Sequence, residues 1–335
     1  MKRNSVYYYA DLLQGEERRI YDEMLQGMLT RRDVISVTAE DIEMIRRAIS
    51  MVRADHPEIF WCNGAWESSS VGSRHEIRME YTFSRLQIAV RQEQIERTVR
   101  RFFARLRQTD EEYDRIRKAY EFLVDTAEYV PGSRDNQNIC SARVYGRTVC
   151  AGYARSYQYL LQRMGIQAIY VTGISLNEEG WGAHGWNIVR CNGRYYHVDV
   201  THAGFGRGEK GLGKRGCYHY EYLCLDDRQM GVNHCASGEL PLPSCCSRDL
   251  NYFVRSGLSG ASFDAQAQES MRWAIHHKTV WMYQFTTDKG FRECRNAIEE
   301  GVYGQIARKL LPPSQKFTVW STATPSQRTV FCWCA

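Results

Sequence analysis

The chain has 335 residues, with 44 Lys and Arg against 39 Asp and Glu, for a net charge of +5. That length leaves room for two or three domains, and a charge so mild gives no reason to expect nucleic acid. At 43% hydrophobic and 25% charged residues the chain has an ordinary globular make-up, and no apolar run approaches the ~20 residues that a membrane helix needs. Its first residues, MKRNSVYYYADLLQGEERR, lack the apolar stretch of a secretory signal. A soluble, cytoplasmic protein is expected, and with it reduced, mostly buried thiols for the 12 cysteines.

Along the chain, Leu12, Leu13, Ile20, Leu25 and Met28 form an apolar stripe that predicts one helix from Val6 to Leu29. Thr38-Ala-Glu-Asp41 is close to a capping box and opens a second helix through Ile42, Ile45, Ile49 and Val52. Asp55-His56-Pro57 ends it, because proline disfavours helix in the residue before it. Two short strands are expected around Ile59–Trp66 and His75–Phe83, then long helices from Ser84 to Arg107 and from Thr109 to Tyr129. Arg91, Arg97, Arg100, Arg101, Arg105 and Arg107 fall on the first of these. Glu93 and Glu96 interleave with them, so a solvated, salt-bridged face is expected rather than a nucleic-acid surface.

Residues from Pro131 to Asn136 read as a loop leading into the stretch YGRTVCAGYARSYQYLLQRMGI, Tyr145 to Ile166. Cys150 heads an amphipathic segment in which Ala151, Ala154, Tyr157, Leu161 and Met164 recur at helical spacing and Gly165 marks the stop. A thiol at a helix N-terminus sits where unpaired N–H groups and the helix dipole favour the thiolate. Further on, Asn192-Gly193 is a strong signal for a two-residue hairpin turn. Counting back from that turn pairs Cys191 with Arg194, Trp186 with Asp199 and His184 with Thr201. His184 and Asp199 then share a face as diagonal neighbours, roughly 7 Å apart at the backbone. Trp186 and His197 lie on the same face, Trp186 placed to cover the carboxylate and His197 as a supporting partner. A helix offering a thiol and a hairpin offering an imidazole and a carboxylate supply nucleophile, base and orienting group.

On these residues the chain resembles the transglutaminase-like superfamily of papain-related Cys-His-Asp enzymes, especially its bacterial peptidase-like branch. The marks are the G-x-x-VC-x-GYA stretch ending at Ala154, the HGWN stretch at His184–Asn187 and the YHVDVT stretch at Tyr196–Thr201. The branch usually reads HAWN where this chain has Gly185, and often Trp-Asp where it has His202-Ala203. The segment YEYLCLDDRQM, Tyr220 to Met230, is similar to the strand and acidic turn that follow the aspartate in such proteins.

The resemblance implies an α+β fold: a transglutaminase-like, papain-like core with its nucleophile helix packed on an antiparallel sheet. A mainly helical N-terminal region would occupy residues 1–125, the catalytic domain 126–255, and a small α/β module 256–335. Cys150, His184 and Asp199 are the expected catalytic residues, acting by acyl transfer through a thioester. The backbone N–H of Cys150 and one further donor would hold the oxyanion, with Gln137 and Asn138 as candidates for the second. Hydrolysis of a peptide or protein substrate, transfer to an amine, and peptide binding without turnover are all compatible with the pattern, hydrolysis being the expectation. The oligomeric state is not legible.

A glycine-rich loop follows from Gly204 to Gly216. Within it, Gly208 to Arg215 nearly spells a phosphate-binding loop. It fails because Arg215 stands where Ser or Thr must hold magnesium, no buried strand precedes it and strand-like sequence follows. A mobile loop bordering the active site is expected instead. Cys245-Cys246, Cys235 beside His234, and Cys332-Trp333-Cys334 lack paired C-x-x-C spacing, so neither metal nor cofactor is expected. Past Ser256 the expected elements are a helix at Phe263–His277, a strand at Val280–Phe285, a helix at Asp288–Leu310, and strands at Phe317–Trp320 and Thr329–Trp333.

Overall fold

The computed structural model describes residues 5–177, 180–203 and 218–334. By their contacts these fall into two units, one of residues up to Thr201 with Cys235–Ser244, the other of His202–His234 with Cys245 onward.

The first unit begins with α1 (Tyr8–Leu12) and α2 (Gly15–Thr30), not with one helix. Leu13 is extended and Gly15 has φ +53°, which breaks the run between them. Thr38 does not open the next helix. It ends a strand the sequence reading missed, β1 (Ile35–Thr38), in which Ile35 and Val37 alternate inward. The cap of α3 (Ile42–Asp55) is Asp41, whose carboxylate accepts the Glu43 N–H at 3.0 Å. β2 (Cys62–Val71) and β3 (Arg74–Tyr81) pair antiparallel, and β1 adds to the outer edge of β3. β2 starts later than expected, after a turn in which Trp61 Nε1 donates to the Met28 carbonyl at 3.1 Å.

α4 (Arg85–Phe103) is opened by Ser84 and Gln87 in a reciprocal capping box. Ion pairs form along it as its interleaved charges require: Arg97 and Arg100 to Glu93, and Arg105 to Asp125. α5 (Glu112–Thr126) starts three residues later than expected, capped by Glu111 and Asp114, and ends short of Tyr129. Tyr129 belongs instead to β4 (Glu128–Tyr129), which runs parallel to β5 (Arg147–Thr148) and closes the intervening loop just ahead of α6 (Cys150–Arg163).

α6 is the buried centre of this unit. Tyr157, Leu160 and Leu161 have no solvent exposure, and each such side chain contributes about 1.5–3 kcal/mol of hydrophobic stabilisation. Its polar groups tie it to three neighbours. Tyr157 donates to the Ile116 carbonyl at 3.0 Å, Tyr153 to that of Ala127 at 2.9 Å, and Gln158 to those of Ala54 and Ala168. Beside it β6 (Ala168–Asn177), β7 (Gly180–Cys191) and β8 (Arg194–Val198) form consecutive antiparallel pairs.

In the second unit, strands Ser259–Gly260, Trp281–Phe285, Thr329–Cys334 and Val319–Thr324 lie in that spatial order, with Met271, Ile275, Tyr283 and Phe285 in its core. The helix expected from Asp288 to Leu310 is two, Asp288–Glu299 and Val302–Leu310, broken where Gly301 takes φ +87°. Leu223–Leu225 is a strand, and Asp226 with Gln229 caps the short helical turn after it.

The first turn of α6 leaves no room for a side chain at Gly152. A Cβ there would lie 1.9 Å from Thr148 Oγ1 and 2.3 Å from Ser141 Oγ, two hydroxyls that bond each other at 2.6 Å. Gly152→Ala is expected to lower stability by roughly 1–3 kcal/mol despite alanine's better helix propensity, read as a lower urea midpoint with an unchanged slope. An equal or higher midpoint would show that the turn yields without cost.

Candidate active site

Three elements bring the site together. Cys150 is the first residue of α6, behind an extended Val149 that supplies no side-chain cap, so the helix dipole acts directly on the thiol. His184 lies on β7. Asp199 comes just past β8, on the return strand of the hairpin. The turn residues Asn192 and Gly193 have φ +50° and +79°, as a type I′ turn demands. Pairing runs from Cys191↔Arg194 to Asn187↔Val198 in the register counted from the sequence.

Asp199 is 1% exposed. Its Oδ1 accepts the Thr201 N–H at 2.8 Å, and its Oδ2 lies 2.7 Å from His184 Nε2. With Nε2 committed to the carboxylate, the other ring nitrogen is the one left for Cys150, whose thiol is hydrogen-bonded to His184 and to the Gly185 N–H. Trp186 is stacked alongside His184, ring centroids 6.2 Å apart at 21°, and its Nε1 donates to His197 Nδ1 at 3.1 Å. His197 pairs with Ile188 and so locks the indole that walls the imidazole.

The electrostatics favour an ion pair. Burial pushes the Cys150 thiol up, but the hydrogen bond and charge of His184 and the N–H of Gly185 outweigh it and hold the thiol below its ordinary 9.0. Burial pulls His184 down, and the Asp199 charge with the bonds to Asp199 and Cys150 raises it to about 10. Thiolate and imidazolium therefore coexist between those two limits. Burial acting alone has the opposite outcome at Cys294, which it raises to about 12, and it is the main cause of the same rise at Cys140.

Gln137 and Asn138 stand apart from the thiol's own hydrogen bonds. Gln137 Nε2 donates to Asn136 Oδ1 at 3.2 Å, and Asn138 Oδ1 accepts the Cys140 N–H at 2.9 Å. Both line a cavity of about 270 Å³ that also reaches Arg155 on α6. The loop expected to border the site, Gly204–Gly216, lies outside the described residues.

The sequence reading missed Tyr170 and Arg155. A Cβ at Gly185 would meet the Tyr170 hydroxyl at 2.8 Å, which accounts for glycine where the related motif has alanine. That departure was the signal available in the sequence.

A cysteine, histidine and aspartate joined in this order on a helix and a hairpin define a thiol-dependent class of enzyme fold. Residues 100–200 match the model of the transglutaminase-like superfamily. No curated protein matches the chain in sequence. Among solved structures, a TGase is 11% identical with a TM-score of 0.31, over 44% of this chain and 46% of that one. A candidate cysteine protease from Cytophaga hutchinsonii is 15% identical with a TM-score of 0.27, over 41% and 61%. A candidate protease from Parabacteroides distasonis is 9% identical with a TM-score of 0.24, over 41% and 39%. The chain thus spans less than two thirds of each of these structures. Among the described residues, no helix is long and apolar enough to cross a membrane.

Alkylation of Cys150 by iodoacetamide, followed by peptide mass spectrometry over a pH series, should show its inflection below 9.0. In His184→Ala burial is opposed only by the Gly185 N–H, so the inflection should move up. An unchanged inflection in the variant would separate the thiol from the imidazole.

Proposed function

We propose that the protein catalyses acyl transfer on a peptide or amide through a thioester on Cys150, with water as the acceptor: a transglutaminase-like cysteine peptidase or amidase. The observation that supports it best is the continuous hydrogen-bonded chain from the Cys150 thiol through His184 to Asp199, the last step 2.7 Å long and buried.

In this mechanism the Cys150 proton resides on His184, and Asp199 holds the imidazolium in place and stabilises its charge. The thiolate attacks the amide carbonyl carbon, and the electron pair moves onto oxygen. The Cys150 N–H, with a side-chain amide from Gln137 or Asn138, holds that oxyanion. Collapse re-forms the carbonyl as the C–N bond breaks, and His184 gives its proton to the departing amine. Water then gives a proton to His184 as it attacks the thioester, and collapse expels the sulfur, releasing the acid and regenerating the thiolate–imidazolium pair. Trp186 walls the imidazole and shields its bond to Asp199 from solvent.

With a glutamine-containing peptide and a labelled primary amine, the expected product is free acid, with little label incorporated. Dominant labelled adduct would replace water by an amine and make the protein a cross-linking enzyme. Cys150→Ala should abolish turnover, and Asp199→Asn should lower kcat by about 10³–10⁴-fold, since the amide neither stabilises the imidazolium nor fixes its tautomer. For the wild type, turnover should fall as pH rises through about 10, where His184 loses the proton it returns to the amine. Peptide binding unaffected by Cys150→Ala, with no amide turned over, would leave a binding role only.

A further inference from the structure

Two arginines meet in the cavity beside the nucleophile helix without a counter-ion. Arg155, one and a half turns beyond Cys150 on α6, and Arg53, near the end of α3, both line the 270 Å³ space, together with Asn136, Gln137 and Asn138. Arg155 Nη1 donates to the Arg53 carbonyl at 2.8 Å, and its guanidinium carbon lies 4.1 Å over the centre of the Tyr170 ring. The Arg53 guanidinium fills the space beside Gly64, where a Cβ would meet Nη1 at 2.1 Å. Among the described residues, no carboxylate pairs with either arginine.

The acid and the histidine on the cavity wall are occupied elsewhere. Asp135 also lines the space, but its Oδ2 is 3.2 Å from the Tyr145 hydroxyl and 3.7 Å from Arg134 Nε. His56 lines it too, its two ring nitrogens on Glu58 and on the Tyr21 hydroxyl. Two like charges lining one partly enclosed space repel, and an arriving anion would relieve that repulsion together with the desolvation cost that Arg155 bears. Burial lowers the Arg155 guanidinium to about 10, the Tyr170 contact opposes that shift, and the neighbouring Arg53 charge reinforces it.

We infer that this cavity is a subsite for a carboxylate on the substrate, close to the amide under attack, with Arg53 and Arg155 as the residues that select it. The inference rests on Cys150 being the nucleophile. Guanidinium forks suit a carboxylate, and the Asn and Gln side chains on the wall add neutral donors. The cavity is at the small end of ligand sites, so it takes one acidic side chain or a chain-terminal carboxylate, not a folded partner. The wall is fixed to the nucleophile: a Cβ on Gly152 would lie 3.2 Å from the Asn136 carbonyl. Tyr170, under Arg155, places its hydroxyl beside Gly185, whose N–H bonds the thiol.

The test is a pair of electrophiles of equal intrinsic reactivity, N-iodoacetyl-4-aminobutyrate and its terminal carboxamide. The probe's carboxylate extends about 8 Å from the reactive carbon, and its flexible chain can follow the rise of about 7.5 Å and the turn of about 140° that separate residue 150 from residue 155 along a helix. Second-order alkylation rates at Cys150 are read by peptide mass spectrometry in low salt. The carboxylate probe is expected to react at least about tenfold faster than the carboxamide, with that ratio falling toward one in Arg53→Gln and in Arg155→Gln. Arg155 is the one whose guanidinium rests on an aromatic ring and bonds the end of α3, so Arg53→Gln carries the test if the other variant fails to fold.

A ratio of one or less in the wild type, or a ratio that survives both substitutions, overturns the subsite. The carboxamide probe separates that failure from a deeper one. If it reacts with Cys150 no faster than with the exposed Cys235 and Cys246, the nucleophile assignment falls and the subsite with it.

Discussion

Asp199 is a carboxylate 1% exposed, with one oxygen on a backbone N–H and the other 2.7 Å from an imidazole. A buried charge without such partners would cost several kcal/mol, so Asp199 constrains whatever stands opposite it. Here it fixes the tautomer and orientation of His184 and turns the ring's second nitrogen toward Cys150. The hairpin makes this meeting possible. A slip of one residue between β7 and β8 would carry His184 or Asp199 to the opposite face and separate them. The I′ turn at Asn192-Gly193 pins the register, and Trp186, stacked on His184 and bonded to His197, holds the ring from the side.

Cys150 shows how narrowly the balance is drawn. Burial raises a thiol, as it does at Cys140 and Cys294. At Cys150 the same burial is overcome by an imidazolium, a backbone N–H and the uncapped first turn of a helix. That first turn is in turn fixed from outside, by the Thr148–Ser141 hydroxyl pair pressed against Gly152. The Cys150 thiol is therefore held on a rigid element, with its supporting contacts coming from the segment just ahead of it.

Much of this was legible in the sequence because the signals were local. Helical spacing after Cys150, a glycine at its end and an Asn-Gly turn between alternating strands are short-range rules, and the structure follows them residue by residue. Longer stretches misled where periodicity continued across a break. The apolar stripe of Val6–Leu29 runs on through the extended Leu13, and that of Asp288–Leu310 through Gly301, because the pattern records faces and not turns. The caps at Asp41 and Glu111 were displaced by two or three residues from those expected. β1 was overlooked since four residues carry too little alternation to stand out. Arg155 could not be singled out: on α6 it reads as one more polar position, and only the fold places Arg53, a hundred residues earlier, beside it.

Gly185 joins these two halves of the site. Read alone, glycine for alanine in the HGWN motif is a minor change distant from the thiol, His184 and Asp199. In the structure the missing methyl is the space that the Tyr170 hydroxyl occupies. Tyr170 in turn carries the Arg155 guanidinium over its ring, and Arg155 anchors the end of α3 through the Arg53 carbonyl. Restoring the alanine would crowd the Tyr170 hydroxyl and shift the ring on which the Arg155 guanidinium rests, and cation contacts of that kind contribute about 2 kcal/mol when desolvated. The same glycine's N–H bonds the thiol, so β7 couples the position of Cys150 to that of the two arginines. A residue absent from any catalytic role thus sets which side chains can stand around the thiol.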